Sequence, residues 1–213
     1  DFSVVHLIRK LLRDEEPNIR WLAIQILRKI GGAGVVEPLI EALNDEIFSI
    51  RWSAAEALGE VGDPKAIGPL SALLRDKDYA VRRTAAEAIG NIGGEHALNI
   101  LAEALNDENT EVRGAVIWGI AKVRALDEDI AYNLLCKGIK DESTYVRKEA
   151  IKALGSKRDR KSVEAILQAL EDKDEGVCKT ALQILEEITG QKFGLNYSEW
   201  KKWWEEHREE LDD

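Results

Sequence analysis

The sequence has no methionine, and only two cysteines, three histidines and four prolines among 213 residues. Each scarcity excludes something. Cys136 and Cys178 form neither a CxxC pair nor a disulfide framework, a usage that fits a reducing, cytoplasmic compartment. His6, His96 and His207 are too few and too scattered for a multi-histidine site, so no metal is expected and no other cofactor either. Apolar runs are only a handful of residues long, far short of the ~20 that span a bilayer, so neither a membrane helix nor a signal-peptide core is expected. Excess positive charge is also missing: 30 Lys and Arg face 40 Asp and Glu, and a net charge of −10 argues against a nucleic-acid partner. The missing methionine and the opening Asp1 read as a trimmed or processed start.

What is present points to helices. Hydrophobic residues make up 45% and charged residues 33%, too apolar for a disordered chain and too charged for a membrane protein. Ala, Leu, Ile, Glu and Lys dominate, while aromatics reach only 6%. The surplus of Glu, Lys and Arg over Asn, Gln, Cys and Met resembles thermophile usage.

The strongest signal is internal periodicity. Aspartates recur at Asp14, Asp45, Asp76, Asp107, Asp141 and Asp172, spaced 31, 31, 31, 34 and 31 residues. Six positions after the first five stand Arg20, Arg51, Arg82, Arg113 and Arg147, each preceded by Ile or Val; the sixth copy has Cys178 instead. A period in the low thirties marks an array of one supersecondary unit. In the second copy, Val36, Leu39, Ile40 and Leu43 lie at helical spacing and stop at Asn44-Asp45, with Pro38 in the first turn. A second helix carries Ile50, Ala54, Ala57, Leu58 and Val61 and ends at Gly62-Asp63-Pro64. Each helix is apolar on one side only, so neighbouring copies must supply the cover. The aspartate is placed to cap the following helix.

The text Val-Glu-Pro-Leu-Ile-Glu-Ala-Leu-Asn-Asp at 36–45, Ile-Arg-Trp-Ser-Ala-Ala-Glu-Ala-Leu-Gly at 50–59 and Val-Arg-Arg-Thr-Ala-Ala-Glu-Ala-Ile-Gly at 81–90 resembles the HEAT-like repeats of the phycobilisome-lyase type. The resemblance covers residues from about 2 to 190. It implies an all-α, right-handed α-α superhelix of six two-helix repeats, at about 1–34, 35–65, 66–96, 97–129, 130–161 and 162–193, plus a capping helix at 194–213. It also implies that the Asp and Arg series forms a structural ladder along the stack, ending where Cys178 replaces arginine. On function it is nearly silent, since the family hosts enzymes, scaffolds and adaptors.

Positions that vary between copies are free for function. Core positions in the second helix fall 5, 9, 12, 13 and 16 residues after the aspartate, which leaves positions 4, 7, 8, 11 and 15 on the opposite side. The resemblance makes that side the concave surface. It carries Trp21, Phe48, Trp52, Tyr79, Arg83, Trp118 and Lys122, then Tyr145, Lys148 and Lys152, with Lys179 and Gln183 in the last copy. Clustered aromatics beside basic residues suit a protein or peptide partner, and the basic residues suit an acidic one. Gly114 is expected to leave room beside Trp118. Arg124 to Asp129 reads as a longer helix end or turn that bends the solenoid, serves as a recognition loop or is a neutral insertion. The C-terminal Trp200, Trp203 or Trp204, His207 and Leu211 lie on one side of an amphipathic helix with Asn196 or Ser198 as N-cap.

Chemistry finds little foothold. Iron hydroxylases with HEAT-like folds carry His-Glu pairs where this chain has Trp52-Ser53, Arg83-Thr84, Gly114-Ala115 and Lys148-Glu149. No phosphate loop and no nucleophile–base motif occurs. The expectation is a non-enzymatic binding or assembly module, with a bilin-lyase-like, tetrapyrrole-handling subunit as the alternative that the resemblance leaves open.

Overall fold

The computed structural model describes residues 2–94, 96–123 and 128–211, and every regular element among them is helical. Contacts divide the chain into two compact units, 1–126 and 127–213. Of the expected longer turn, residues 124–127 lie outside the described residues.

The first unit holds α1 (Phe2–Leu11), α2 (Pro17–Ile30), α3 (Val36–Ala42), α4 (Phe48–Val61), α5 (Ile67–Leu73), α6 (Tyr79–Ile92), α7 (Ala97–Ala104) and α8 (Thr110–Lys122). Short helices alternate with long ones because the turn aspartates interrupt the chain. Asp45 Oδ1 accepts the Ile47 N–H at 2.9 Å, and Asp14, Asp76 and Asp107 do the same for Glu16, Asp78 and Asn109. The aspartate therefore closes a side-chain turn two residues wide and is not itself the helix cap. Capping falls to the next polar residue where there is one: Asp78 accepts from Ala80, and Asn109 from Glu111 and Val112. At the far end, Gly62 takes the left-handed conformation at φ 72° and donates its N–H to Leu58 O.

The even-numbered helices of this unit pack side by side, with α4 on α6 and α6 on α8 the most extensive pairings. Small residues permit the close approach. A Cβ added to Gly59 would stand 2.8 Å from Ala88 Cα, and one on Gly90 would stand 2.3 Å from Gly119 Cα. Ala54, Ala55, Ala57 and Leu58 of α4 are fully buried, as are Ala85, Ala86 and Ile89 of α6. Leu39, Leu70 and Leu101 from the short helices fill the space behind them.

The second unit holds α9 (Glu128–Ile139), α10 (Thr144–Gly155), α11 (Arg160–Gln168), α12 (Glu175–Thr189) and α13 (Tyr197–His207). Here α10 packs on α12, and Gly155 again makes room: its added Cβ would meet Ile184 Cγ2 at 2.3 Å. Asn196 caps α13 by accepting the Glu199 N–H, and α13 lies against α11. Trp200 is fully buried and donates its indole N–H to Gly194 O at 2.8 Å, which satisfies its one polar atom. Phe193 meets Trp200 edge-on at 5.0 Å, and His207 stacks on Trp203 at 4.8 Å. Of the two alternatives for the second aromatic position, Trp204 is the buried one and Trp203 is half-buried.

Candidate binding surface

The Asp and Arg series is built into the stack. Arg20 forks onto Asp45, Arg51 onto Asp76 and Arg82 onto Asp107 in the first unit, and Arg147 onto Asp172 in the second. Each arginine also donates back to its own turn, as Arg51 does to Asp45 O at 2.8 Å and Glu46 O at 3.0 Å. Arg113 donates to Asp107 O and Glu108 O, and Asp141 accepts from Ser143. The Arg51 and Asp76 side chains are both only 8% exposed. Burial pushes the Asp76, Asp107 and Asp172 carboxyls up, but the arginine fork, a backbone N–H and neighbouring positive charge outweigh it and hold all three below the ordinary value. Cys178 keeps part of the arginine's work: its thiol donates to Asp172 O at 3.1 Å, the carbonyl of its own turn.

The predicted contact residues fall into two groups, seven in the first unit and three in the second. In the first, Trp21, Phe48, Trp52, Tyr79 and Trp118 are 36–49% exposed. They do not stack on one another; the ring–ring contacts among the described residues all lie in the C-terminal cluster. Two sequence expectations need correction. Position 8 is not open in the inner copies: Ser53, Thr84 and Ala115 are 0%, 4% and 7% exposed, on long helices that pack against one another. Leu22, at the same position in α2, stays half exposed beside Trp21 and was not predicted as a contact residue. Gly114 is itself buried rather than bordering an open space.

The charges on this face are largely engaged. Arg28 bonds both Glu56 and Glu60 of α4. Arg83 meets Glu87 at 3.0 Å and Glu111 at 3.5 Å. Lys122 Nζ sits 5.2 Å from the Trp118 ring centroid, a cation–π distance. Arg28 and its partners recur about one period apart, a signal the sequence offered and the helical wheel of a single copy does not use.

On the second unit, Tyr145 is half exposed. Lys148 Nζ lies across Gly176, at 2.6 Å from where its Cβ would stand. Lys152 pairs with Glu149, and Lys179 with Glu175. A cleft of about 550 Å³ lies elsewhere in this unit, lined by Tyr132, Lys157, Asp159, Arg160, Lys161 and Glu164. Several of its charges pair with one another, with Lys161 on Asp129 at 2.6 Å and Arg160 near Glu164 and Glu209. Burial pushes the Tyr132 phenol up to about 12. A second cleft, about 750 Å³, opens between α5 and α7 and is lined by Ser71, Leu74, Arg75, Ile100 and Glu103. Among the described residues, no group of three or more His, Cys, Asp or Glu is arranged to hold a metal, and no helix is long and apolar enough to cross a membrane.

The family model described as HEAT repeats matches residues 4–79, 68–132 and 132–193. No curated protein sequence matches significantly. Solved structures with a similar fold include a designed armadillo repeat protein in complex with the peptide (KR)4, at 24% identity and TM-score 0.59, covering 85% of this chain and 98% of that one. The complex of CpcE and CpcF of phycocyanin lyase from Nostoc sp. gives 21% identity and TM-score 0.60, over 72% of this chain and 99% of that one. YibA of Escherichia coli gives 22% and 0.58, over 87% and 72%. At such identities the likeness is one of fold: all-α, armadillo-like repeats.

Proposed function

The chain belongs to the HEAT-repeat family, and from that premise we propose that it is a non-enzymatic binding or assembly module, built of six repeats and a C-terminal cap. It holds a peptide or protein partner on the open face of its long helices. One observation carries the reading: five large aromatic side chains stand 36–49% exposed on the long helices of the first unit, although Ser53, Thr84 and Ala115 of the same helices are buried. Large aromatics recurring on one face of packed helices are what a partner-binding surface presents. Burying one such ring is worth about 1.5–3 kcal/mol, which a stack that needed them only as filler would have gained internally.

The designed armadillo protein's bound peptide and the Nostoc lyase's two-chain complex show that this fold accommodates partners of both kinds. A tetrapyrrole-handling role is the second reading that the lyase suggests, but no feature of either face favours it. Selection of random peptides displayed on phage tests the proposal. Sequences enriched on the wild type should be lost on a Trp52→Ala/Trp118→Ala variant whose circular dichroism is unchanged. Equal enrichment on both would sink the reading.

A further inference from the structure

Resting on that reading of the first unit's face, we propose that its partner is an extended peptide bearing Arg or Lys side chains, not the acidic one that the basic residues of the sequence suggested. In the first unit the two cations counted toward an acidic partner, Arg83 and Lys122, are already engaged. Arg83 lies between Glu87 and Glu111, and Arg28 between Glu56 and Glu60, so an acidic ligand would have to compete with carboxylates held in place by the fold.

Lys122 is the telling residue. Its ammonium rests over the Trp118 ring at 5.2 Å, where the negative π-face draws a cation. This surface thus shows in its own side chain the kind of group it receives, and an incoming arginine or lysine would displace Lys122.

The rim points the same way. Glu15, Glu16, Glu46 and Glu108 stand exposed in the turns that lead into α2, α4 and α8, with Lys77 the one base at the corresponding turn positions. Glu46 and Glu108 side chains are 84% and 89% exposed, and their nearest cations, Arg20 at 3.7 Å and Arg82 at 3.5 Å, are already forked onto Asp45 and Asp107. At that exposure they can turn to a partner's charges more readily than Glu56 and Glu87, whose side chains are 35% and 33% exposed. Spacing favours an extended ligand. Packed helices stand about 8–10 Å apart, and a polyproline II segment presents the same side every three residues, about 9 Å. Successive long helices would then meet every third side chain.

The test titrates the full chain with (Arg-Pro-Ser)4, (Glu-Pro-Ser)4 and (Gln-Pro-Ser)4, read by tryptophan fluorescence. The arginine peptide should bind saturably and the other two at least about tenfold more weakly. Trp118→Ala should weaken arginine-peptide binding about tenfold. Lys122→Ala should tighten it about two- to fivefold, because the ring no longer holds its own cation. Lys65→Ala removes an equal charge from the exposed turn that leads into α5 and controls for bulk electrostatics. The proposal is overturned if the glutamate peptide binds as well, if Lys122→Ala weakens binding, if Lys65→Ala tightens it as much, or if the arginine peptide does not bind at millimolar concentration. Should phage-selected peptides then still depend on Trp52 and Trp118, only the charge assignment fails; should they not, the binding-face reading falls with it. Circular dichroism of each variant separates lost binding from lost folding.

Discussion

Arg51→Ala offers the sharpest test of how the stack is held. Arg51 Nε and Nη2 donate to Asp76 at 2.7 and 2.9 Å, and Nη1 donates to two carbonyls of its own turn. Deleting the guanidinium leaves Asp76, 8% exposed, with the Asp78 N–H at 2.9 Å as its remaining close donor, and strips Asp45 O and Glu46 O of a partner. Removing one member of a buried pair costs about 3–5 kcal/mol, against about 0–1 for an exposed one. The surviving N–H places the expected loss near the low end, about 3 kcal/mol.

Acid should narrow the gap. The Asp76 carboxyl is held below 3.8, so its contribution is complete above the unfolded-state value and is lost as pH falls through the folded one. Without Arg51, burial dominates and the carboxyl rises, so the variant loses less than the wild type on acidification. Urea unfolding followed by circular dichroism at pH 7 and pH 3 measures both terms, with amide exchange in α4 and α6 to detect stepwise loss of repeats. A loss below about 1 kcal/mol at pH 7, or a gap that does not shrink at pH 3, would refute the argument.

Gly90→Ala should destabilise by about 2–3 kcal/mol or more through overpacking against Gly119, although alanine is the better helix former. Gly68→Ala, with nothing within 4 Å of the new Cβ, should instead stabilise by about 0.5–1 kcal/mol; thermal melts decide both signs. Arg158 adopts φ +57°, so Arg158→Gly should raise stability by about 0.5–1 kcal/mol, and a fall in melting temperature would count against backbone strain there. Ser53 Oγ is buried without a hydrogen-bond partner, so Ser53→Ala should be neutral or stabilising by up to about 1 kcal/mol in urea unfolding. Burial pushes both the Cys136 and Cys178 thiols up, so iodoacetamide at neutral pH should leave the native protein unlabelled, whereas both sites should label in urea, as read by intact mass.

What was legible in the sequence depended on whether a feature is decided within one copy or between copies. The 31-residue register located the helices, and the aspartates and arginines that it aligned do join across copies, as Arg20 and Asp45 show. The five exposed aromatics were readable because a ring is either on the core stripe of its own helix or off it. Position 8 was misread because a helical wheel contains no neighbour. Thr84 looks polar and outward on α6 alone, and is buried where Gly59 lets α4 and α6 close in. Charge was harder to read for the same reason. Arg83, Lys122 and Lys152 read as a basic face when counted one by one, yet Arg83 is matched by Glu111 from the next long helix, Lys152 by Glu149, and Lys122 by a ring one turn away. A net charge of −10 distributed over such pairs is visible to a partner only where pairing is incomplete. In the first unit the most exposed of the paired carboxylates are those of the rim, Glu46 and Glu108 at 84% and 89%, and it is there that the acidic balance of the chain reaches its surface.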